Sequence, residues 1–205
     1  MPKTSIVRYI RQLNMPVFTT REISDISQKS ASTVTQSLNL LCRHGIIKKL
    51  YRGIWTEFAQ KKISPFVLIP HLFKSRRVYV SFLSALHLHG IIGQIPQTIT
   101  LASTSHTKKI KTVIGAFIVH KISPAYFFGF DWYRGTENFL IAEPEKALAD
   151  CLYLFTRKKK QYGYFPELNI GKSFSIKKTI AYIKKIPDKN AKVLALSRLK
   201  EILNP

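Results

Sequence analysis

The stretch Ser30 to Trp55, SASTVTQSLNLLCRHGIIKKLYRGIW, constrains this chain more than any other. Val34, Leu38 and Leu41 recur at i, i+4 and i+7, which is one face of a helix. Ser32, Gln36, Asn39 and Arg43 fall on the opposite side of the wheel. With neighbouring Thr33 they are candidates to read base edges, because each can hydrogen-bond a base or a phosphate. Gly45 follows the last periodic residue and suits a left-handed cap. Ile46 to Tyr51 then alternates into a strand, Arg52-Gly53 offers a turn, and Ile54-Trp55-Thr56 returns. A helix, a stop and a basic ribbon predict a winged helix-turn-helix. The competing explanation is an ordinary amphipathic helix with a solvated polar face.

The residues before this stretch favour the first explanation. Thr4 to Leu13 reads as a helix, capped by Thr4 or Ser5, with Ile6, Ile10 and Leu13 on its apolar face. Asn14-Met15-Pro16 stops it. Thr19 and Glu22 then have the spacing of a capping box, opening a short second helix with Ile23 and Ile26 pointing inward. Ser27 to Ser30 form the turn. Three short helices and a ribbon within about 55 residues match the winged-helix plan. The expectation is a DNA-binding domain over residues 1–57. Arg21 and Lys29 are placed for phosphates, and Lys48, Lys49 and Arg52 set the wing on a flanking groove.

Composition points the same way. The chain carries 33 Lys and Arg against 11 Asp and Glu, a net charge of +22. Such an excess attracts polyanions. The cations are spread over the whole length, so no basic tail accounts for them. Only Cys42 and Cys151 are cysteines, both inside expected helices, so neither a metal site nor a disulfide framework is expected. Lys3 and Arg8 interrupt the start of the chain, which argues against a signal peptide. No run reaches the ~18 apolar residues of a membrane span. The expected setting is cytoplasmic.

Residues 58–77 read as a packed connector. Pro65 suits a first helical turn after Ser64, and Pro70 limits any helix. Residues 78–205 read as a second domain of mixed structure, which makes the expected fold class α+β. Helix is expected over Ser81 to His89, and strands over Thr98 to Ala102, Phe117 to Ile122 and Phe139 to Ile141. Ser103 to Lys111 is polar and basic and reads as a loop. Pro144 opens a helix running to about Thr156, with carboxylates at its positive end. Ser175 to Leu203 holds two more helices broken at Pro187-Asp188.

The candidate chemistry is sparse. Glu143, Glu145, Lys146 and Asp150 cluster, but Lys146 directly follows Glu145, whereas a restriction-type nuclease wants Glu-x-Lys on a strand. Dipole pairing and local salt bridges explain the cluster instead. His87 and His89 are about 200° apart on a helix and cannot share one metal. No phosphate loop or nucleophile elbow occurs. The expectation is a non-enzyme without metal or cofactor. Lys108, Lys109 and Lys111, with Arg157, Lys158, Lys159 and Lys160, offer a secondary basic surface. Tyr162, Tyr164 and Phe165 beside it suit stacking on bases or, more simply, packing.

The second domain carries a resemblance. Tyr79-Val80-Ser81-Phe82-Leu83-Ser84-Ala85-Leu86-His87-Leu88-His89-Gly90 is followed by Gln94-Ile95-Pro96, the strand from Thr98, Phe127-Phe128-Gly129, and Ile141-Ala142-Glu143-Pro144-Glu145-Lys146-Ala147-Leu148-Ala149-Asp150 with Leu152-Tyr153. In that order these strings resemble the AbiEi family, antitoxins of type IV toxin–antitoxin systems also met in phage abortive infection. The resemblance covers nearly the whole chain. It implies an N-terminal winged helix that binds repeats in its own promoter and represses the operon. It also implies a C-terminal antitoxin domain that counteracts an AbiEii-like nucleotidyltransferase toxin, without an assumed stable complex. Two other readings stay open: a winged-helix regulator with an effector-binding second domain, and an RNA-binding protein or nuclease subunit.

Overall fold

The computed structural model describes residues 5–57, 63–74, 77–157 and 165–203. The protein is mixed α+β, with eight α-helices among the described residues and strands in a three-stranded and a six-stranded sheet. The chain divides into two compact units, residues 1–74 with 111–115, and residues 75–110 with 116–205.

In the first unit, α1 (Ile6–Leu13) ends at Asn14, whose left-handed backbone closes the last turn. Ser5 is the N-cap residue but makes no side-chain cap bond, and Thr4 lies outside the described residues. Strand β1 is only Phe18–Thr19, and α2 (Thr20–Ser27) follows at once. The expected capping box is present. Thr19 Oγ1 accepts from the Glu22 N–H at 3.3 Å, and Glu22 Oε2 accepts from the Thr19 N–H at 2.8 Å. Such a cap is worth about 1 kcal/mol. Ile23 and Ser27 are the buried positions of α2, one turn apart. Ile26, expected to point inward, is 37% exposed because it lies on the flank of a helix only two turns long.

Gln28, with φ at 54°, turns the chain into α3 (Ala31–Arg43). Val34 and Leu38 are sealed, and Leu41 and Cys42 pack partly buried against the same core. That core gathers Ile6, Ile10, Phe18, Ile23, Ile47 and Trp55 around them. Gly45, at φ 70°, ends α3 in a Schellman arrangement. Its N–H donates to the Cys42 carbonyl, and the Ile46 N–H donates to the Leu41 carbonyl. Strands β2 (Ile47–Tyr51) and β3 (Ile54–Glu57) form an antiparallel hairpin, and β1 pairs with the outer side of β3. Trp55 Nε1 donates to Thr20 Oγ1 at 3.0 Å, tying the hairpin to α2.

Within the stretch expected as a connector, Pro65–Leu68 form a 3-10 turn and α4 (Ile69–Leu72) continues it, both in the first unit. Pro70 sits in the first turn of α4, where its missing N–H costs nothing. Leu68 and Ile69 are buried.

The second unit is built on a sheet of order β6-β7-β5-β4-β9-β8. Its strands are β4 (Val78–Val80), β5 (Thr98–Ser103), β6 (Lys108–Lys111), β7 (Ala116–Lys121), β8 (Phe130–Trp132) and β9 (Leu140–Ala142). β5 runs parallel to β7, and β4 parallel to β9, while β4 and β5 are antiparallel. The stretch expected as a polar loop, Ser103 to Lys111, instead contributes edge strand β6. Its exposed lysines flank the buried Ile110, which is the composition that blunts a sheet edge.

α5 (Phe82–Leu88) begins from a left-handed Phe82, at φ 59°, a conformation costly for a bulky residue. Thr100 pins that turn: its carbonyl accepts from the Ser81 N–H at 3.0 Å, and its Oγ1 donates to the Ser81 carbonyl at 2.8 Å. α6 (Pro144–Arg157) packs on α5, α7 (Ile176–Lys184) and α8 (Lys189–Leu203). Every residue from Glu145 to Leu154 is buried, so α6 is the central helix of this unit and has no solvent face over that length.

Candidate nucleic-acid interface

The polar side of α3 is solvent-exposed. Ser32, Gln36, Asn39 and Arg43 lie at i, i+4, i+7 and i+11 and form one exposed stripe, opposite the buried Val34 and Leu38. Packing on the core fixes the helix and leaves that stripe outward. Thr33 is exposed too, but its hydroxyl shares a 2.9 Å hydrogen bond with Ser30 Oγ, and its N–H donates to the same oxygen at 3.2 Å. Thr33 therefore belongs first to the helix cap. Thr35 and Ser37 turn their hydroxyls back to the carbonyls of Ala31 and Thr33. The side chains left to reach outward from the stripe are Ser32, Gln36, Asn39 and Arg43.

The candidate phosphate contacts are mostly at the surface. Arg21 is largely exposed, with its nearest carboxylate, Asp25, 3.9 Å away and also exposed. Such a pair holds an arginine weakly. Lys29 is half-buried, and its carbonyl accepts from Ser24 Oγ at 2.6 Å, which fixes the backbone of the α2–α3 turn. Lys48 and Lys49 are exposed on β2, and Arg52 is exposed at the hairpin tip. Lys49 rests its ammonium 5.2 Å from the centre of the Trp55 ring, so part of its reach is spent on its own sheet.

The secondary basic surface is only partly described. Lys108, Lys109 and Lys111 are exposed on β6. Arg157 closes α6 and stacks 4.6 Å from the Tyr153 ring centre. Lys158, Lys159 and Lys160, with Tyr162 and Tyr164, lie outside the described residues.

The charged start of α6 makes the expected local salt bridge, but makes it inside the core. Lys146 and Asp150 are fully buried and bond each other one turn apart. Asp150 Oδ2 also accepts from Ser81 Oγ at 2.6 Å and from Tyr79 Oη at 3.0 Å. Lys146 donates to Tyr79 Oη at 3.1 Å and lies 4.0 Å from the Tyr126 ring centre and 5.2 Å from that of Phe128. Burial lowers the Lys146 pKa, and Asp150 opposes that shift. Burial likewise pushes the Tyr79 phenol far up, with Asp150 adding to it, so Tyr79 stays a proton donor. Gly129 allows this packing. At φ 74°, a Cβ there would stand 3.0 Å from Lys146 Cγ.

The two outer acids of the same helix start behave differently. Glu145 Oε1 accepts from the Ser175 N–H at 3.1 Å, and its Oε2 faces Lys178 at 3.4 Å. Glu143 accepts from Tyr182 Oη and pairs with Lys178 at 2.9 Å. These two carboxylates fasten α7 to α6. Desolvation alone would raise the Glu143 pKa, but the Tyr182 and Lys178 hydrogen bonds outweigh it and hold the carboxyl below its ordinary value. His89 Nε2 lies 2.8 Å from the Ala142 carbonyl, a structural contact. Among the described residues, no group of three or more His, Cys, Asp or Glu stands close enough together to hold a metal, and no helix is long and apolar enough to cross a membrane.

Fold and surface together define the class: a strongly basic, two-unit α+β protein with an exposed polar helix face and a basic hairpin on its first unit. No protein-family model matches the chain, and no curated protein matches it.

Proposed function

We propose that this protein is a sequence-specific DNA-binding repressor of its own promoter, and the antitoxin of a type IV toxin–antitoxin pair of the AbiEi kind. The DNA-binding half reads the first unit as a winged helix-turn-helix, with α3 as recognition helix and the β2–β3 hairpin as wing. The observation that carries it is the division of α3. Val34 and Leu38 are fully buried, while Ser32, Gln36, Asn39 and Arg43 are all exposed. Helix α2 would brace α3 across the backbone, with Arg21, Lys29, Lys48, Lys49 and Arg52 on phosphates. The net charge of +22 supplies the non-specific attraction on which sequence reading builds.

The antitoxin half rests on the strings of the second unit that resemble AbiEi proteins. Support comes from where they meet: Tyr79, Ser81, Phe128, Gly129, Lys146 and Asp150 come from three of the strings and gather around the buried Lys146–Asp150 pair. The opposing toxin would be an AbiEii-like nucleotidyltransferase, counteracted without a stable complex.

The test is binding of the full chain to its own upstream DNA against scrambled DNA of equal length, across a salt series. At physiological salt the native sequence is expected to keep an advantage of at least about 10³-fold. If both DNAs fall off together, the repressor reading is wrong and RNA becomes the leading target. Rescue of cells expressing an AbiEii-like nucleotidyltransferase toxin tests the antitoxin half separately.

A further inference from the structure

A groove of about 610 Å³ opens in the first unit between α2, the tip of the β2–β3 hairpin and the end of α4. Its cations come from three separate stretches: Arg21 on α2, Arg52 on the hairpin tip and Lys74 after α4. Thr20 and Tyr51 add hydroxyls, Ser24 Oγ is committed to the Lys29 carbonyl, and among the described residues the acid on its wall is the exposed Asp25. Ala31, the first residue of α3, also borders it.

Lys74 is held for use at this place. Its ammonium bonds Glu22 Oε1 at 3.2 Å and reaches Thr19 Oγ1 at 3.5 Å, both at the capping box of α2. An ammonium has three donors, so one remains. The side chain is 48% exposed, which leaves that donor within reach of a ligand. Glu22 sits behind the lysine as its counter-ion. Desolvation would raise its pKa, yet bonds from the Thr19 N–H and from Lys74 hold it ionised.

We infer that this groove seats a backbone phosphate of bound DNA, with Lys74 as a contact residue beside Arg21 and Arg52. The inference rests on the DNA-binding reading. Cations from three sides of an open groove suit a tetrahedral dianion or a phosphodiester. Contact with the start of α3 selects the phosphodiester: a strand lying along α3 runs past Ala31 and enters the groove.

The experiment compares wild type, Lys74→Gln and Lys74→Arg as full chains, on native and scrambled DNA over a salt series, with thermal unfolding of each. For Lys74→Gln, affinity is expected to fall by the same factor on both DNAs. The slope of log K against log salt should become shallower by about 1. Lys74→Arg should keep the wild-type slope. An unchanged slope in a folded Lys74→Gln overturns the inference. So does stabilisation of the wild type by inorganic phosphate that Lys74→Gln loses while its DNA slope is unaltered, because the groove then serves a free phosphate. If wild type shows no preference for native DNA, the repressor reading fails, and the slope comparison still decides the groove.

Discussion

Lys146 and Asp150 stand one helical turn apart on α6, both at 0% exposure, and each is the other's counter-ion. Taking two charges out of water is costly, and hydrogen bonds and aromatic faces around the pair offset that cost. Two hydroxyls serve the carboxylate, and a hydroxyl and aromatic faces serve the ammonium. Removing one partner strands the other. Lys146→Met or Asp150→Leu is expected to cost about 3–5 kcal/mol in urea unfolding. The double variant should lose clearly less than the sum, because no charge is left unpaired. It should not reach wild type, since Tyr79 and Ser81 still lose their acceptor. A strictly additive cycle would show that the pair is not coupled.

Gly129 and Gly45 separate two costs of adding a methyl group. Both have positive φ, 74° and 70°. A Cβ at Gly45 meets nothing within 4 Å, whereas one at Gly129 meets the Lys146 stem at 3.0 to 3.3 Å. Gly45→Ala should therefore lose only the conformational part, about 1–2 kcal/mol. Gly129→Ala should lose more, since the lysine it displaces cannot move without leaving Asp150. Chemical denaturation of the two variants, side by side, checks the order.

The stripe on α3 and the hairpin tip should fail in different ways. Gln36→Ala or Arg43→Ala is expected to lose about 1–3 kcal/mol on native DNA and to relax discrimination at one base pair. Lys48→Gln or Arg52→Gln should weaken all sequences alike and flatten the salt dependence. Competition with operators changed at single positions distinguishes the two patterns. Unchanged binding by Gln36→Ala and Arg43→Ala would remove α3 as the reading element.

The α6–α7 clasp should be sensitive at both ends of the pH scale. The Glu143 carboxyl is held below its ordinary 4.5, so its contribution is present above that pH and is lost as pH falls below it. Burial and the bond to Glu143 push the Tyr182 phenol up to about 12 from 10. The unfolded chain therefore ionises first, and stability falls as pH rises from about 10 towards 12. Tyr182→Phe should flatten part of the alkaline loss and weaken the acid one. Melting temperature against pH for the two chains makes the comparison.

Local patterns were legible in the sequence, and long-range ones were not. The capping box at Thr19 and Glu22 and the Gly45 stop are contacts over three to six residues, so spacing alone predicts them. The long strands β5 and β7 and the helices α6, α7 and α8 carry runs that length and punctuation resolve. β1 is different: two residues acquire strand form only because Phe18 lies opposite Trp55, 37 positions on. β6 reads as a loop because its lysines face solvent at a sheet edge. Ile26 misled because a helix of eight residues holds too few apolar positions to fix its buried face. The burial of the Lys146–Asp150 salt bridge was not read from the sequence, because Tyr79, Ser81 and Tyr126, which enclose it, are distant in sequence. One signal was available: a Lys and an Asp at i, i+4 inside a run with Ala147, Leu148, Ala149 and Cys151, which leaves the helix no polar side. That pattern marks a buried pair rather than a solvated one.

The buried pair also sets an order of events during synthesis. Tyr79 and Ser81 leave the ribosome 71 and 69 residues ahead of the carboxylate they bond. Until Asp150 has emerged and α6 has coiled, these hydroxyls have no anion to hold, and β4 lacks its parallel neighbour β9 for most of that interval. A nascent chain halted between Ala142 and Asp150 thus carries all six strands of the sheet while the hydroxyls of Tyr79 and Ser81 still lack their acceptor.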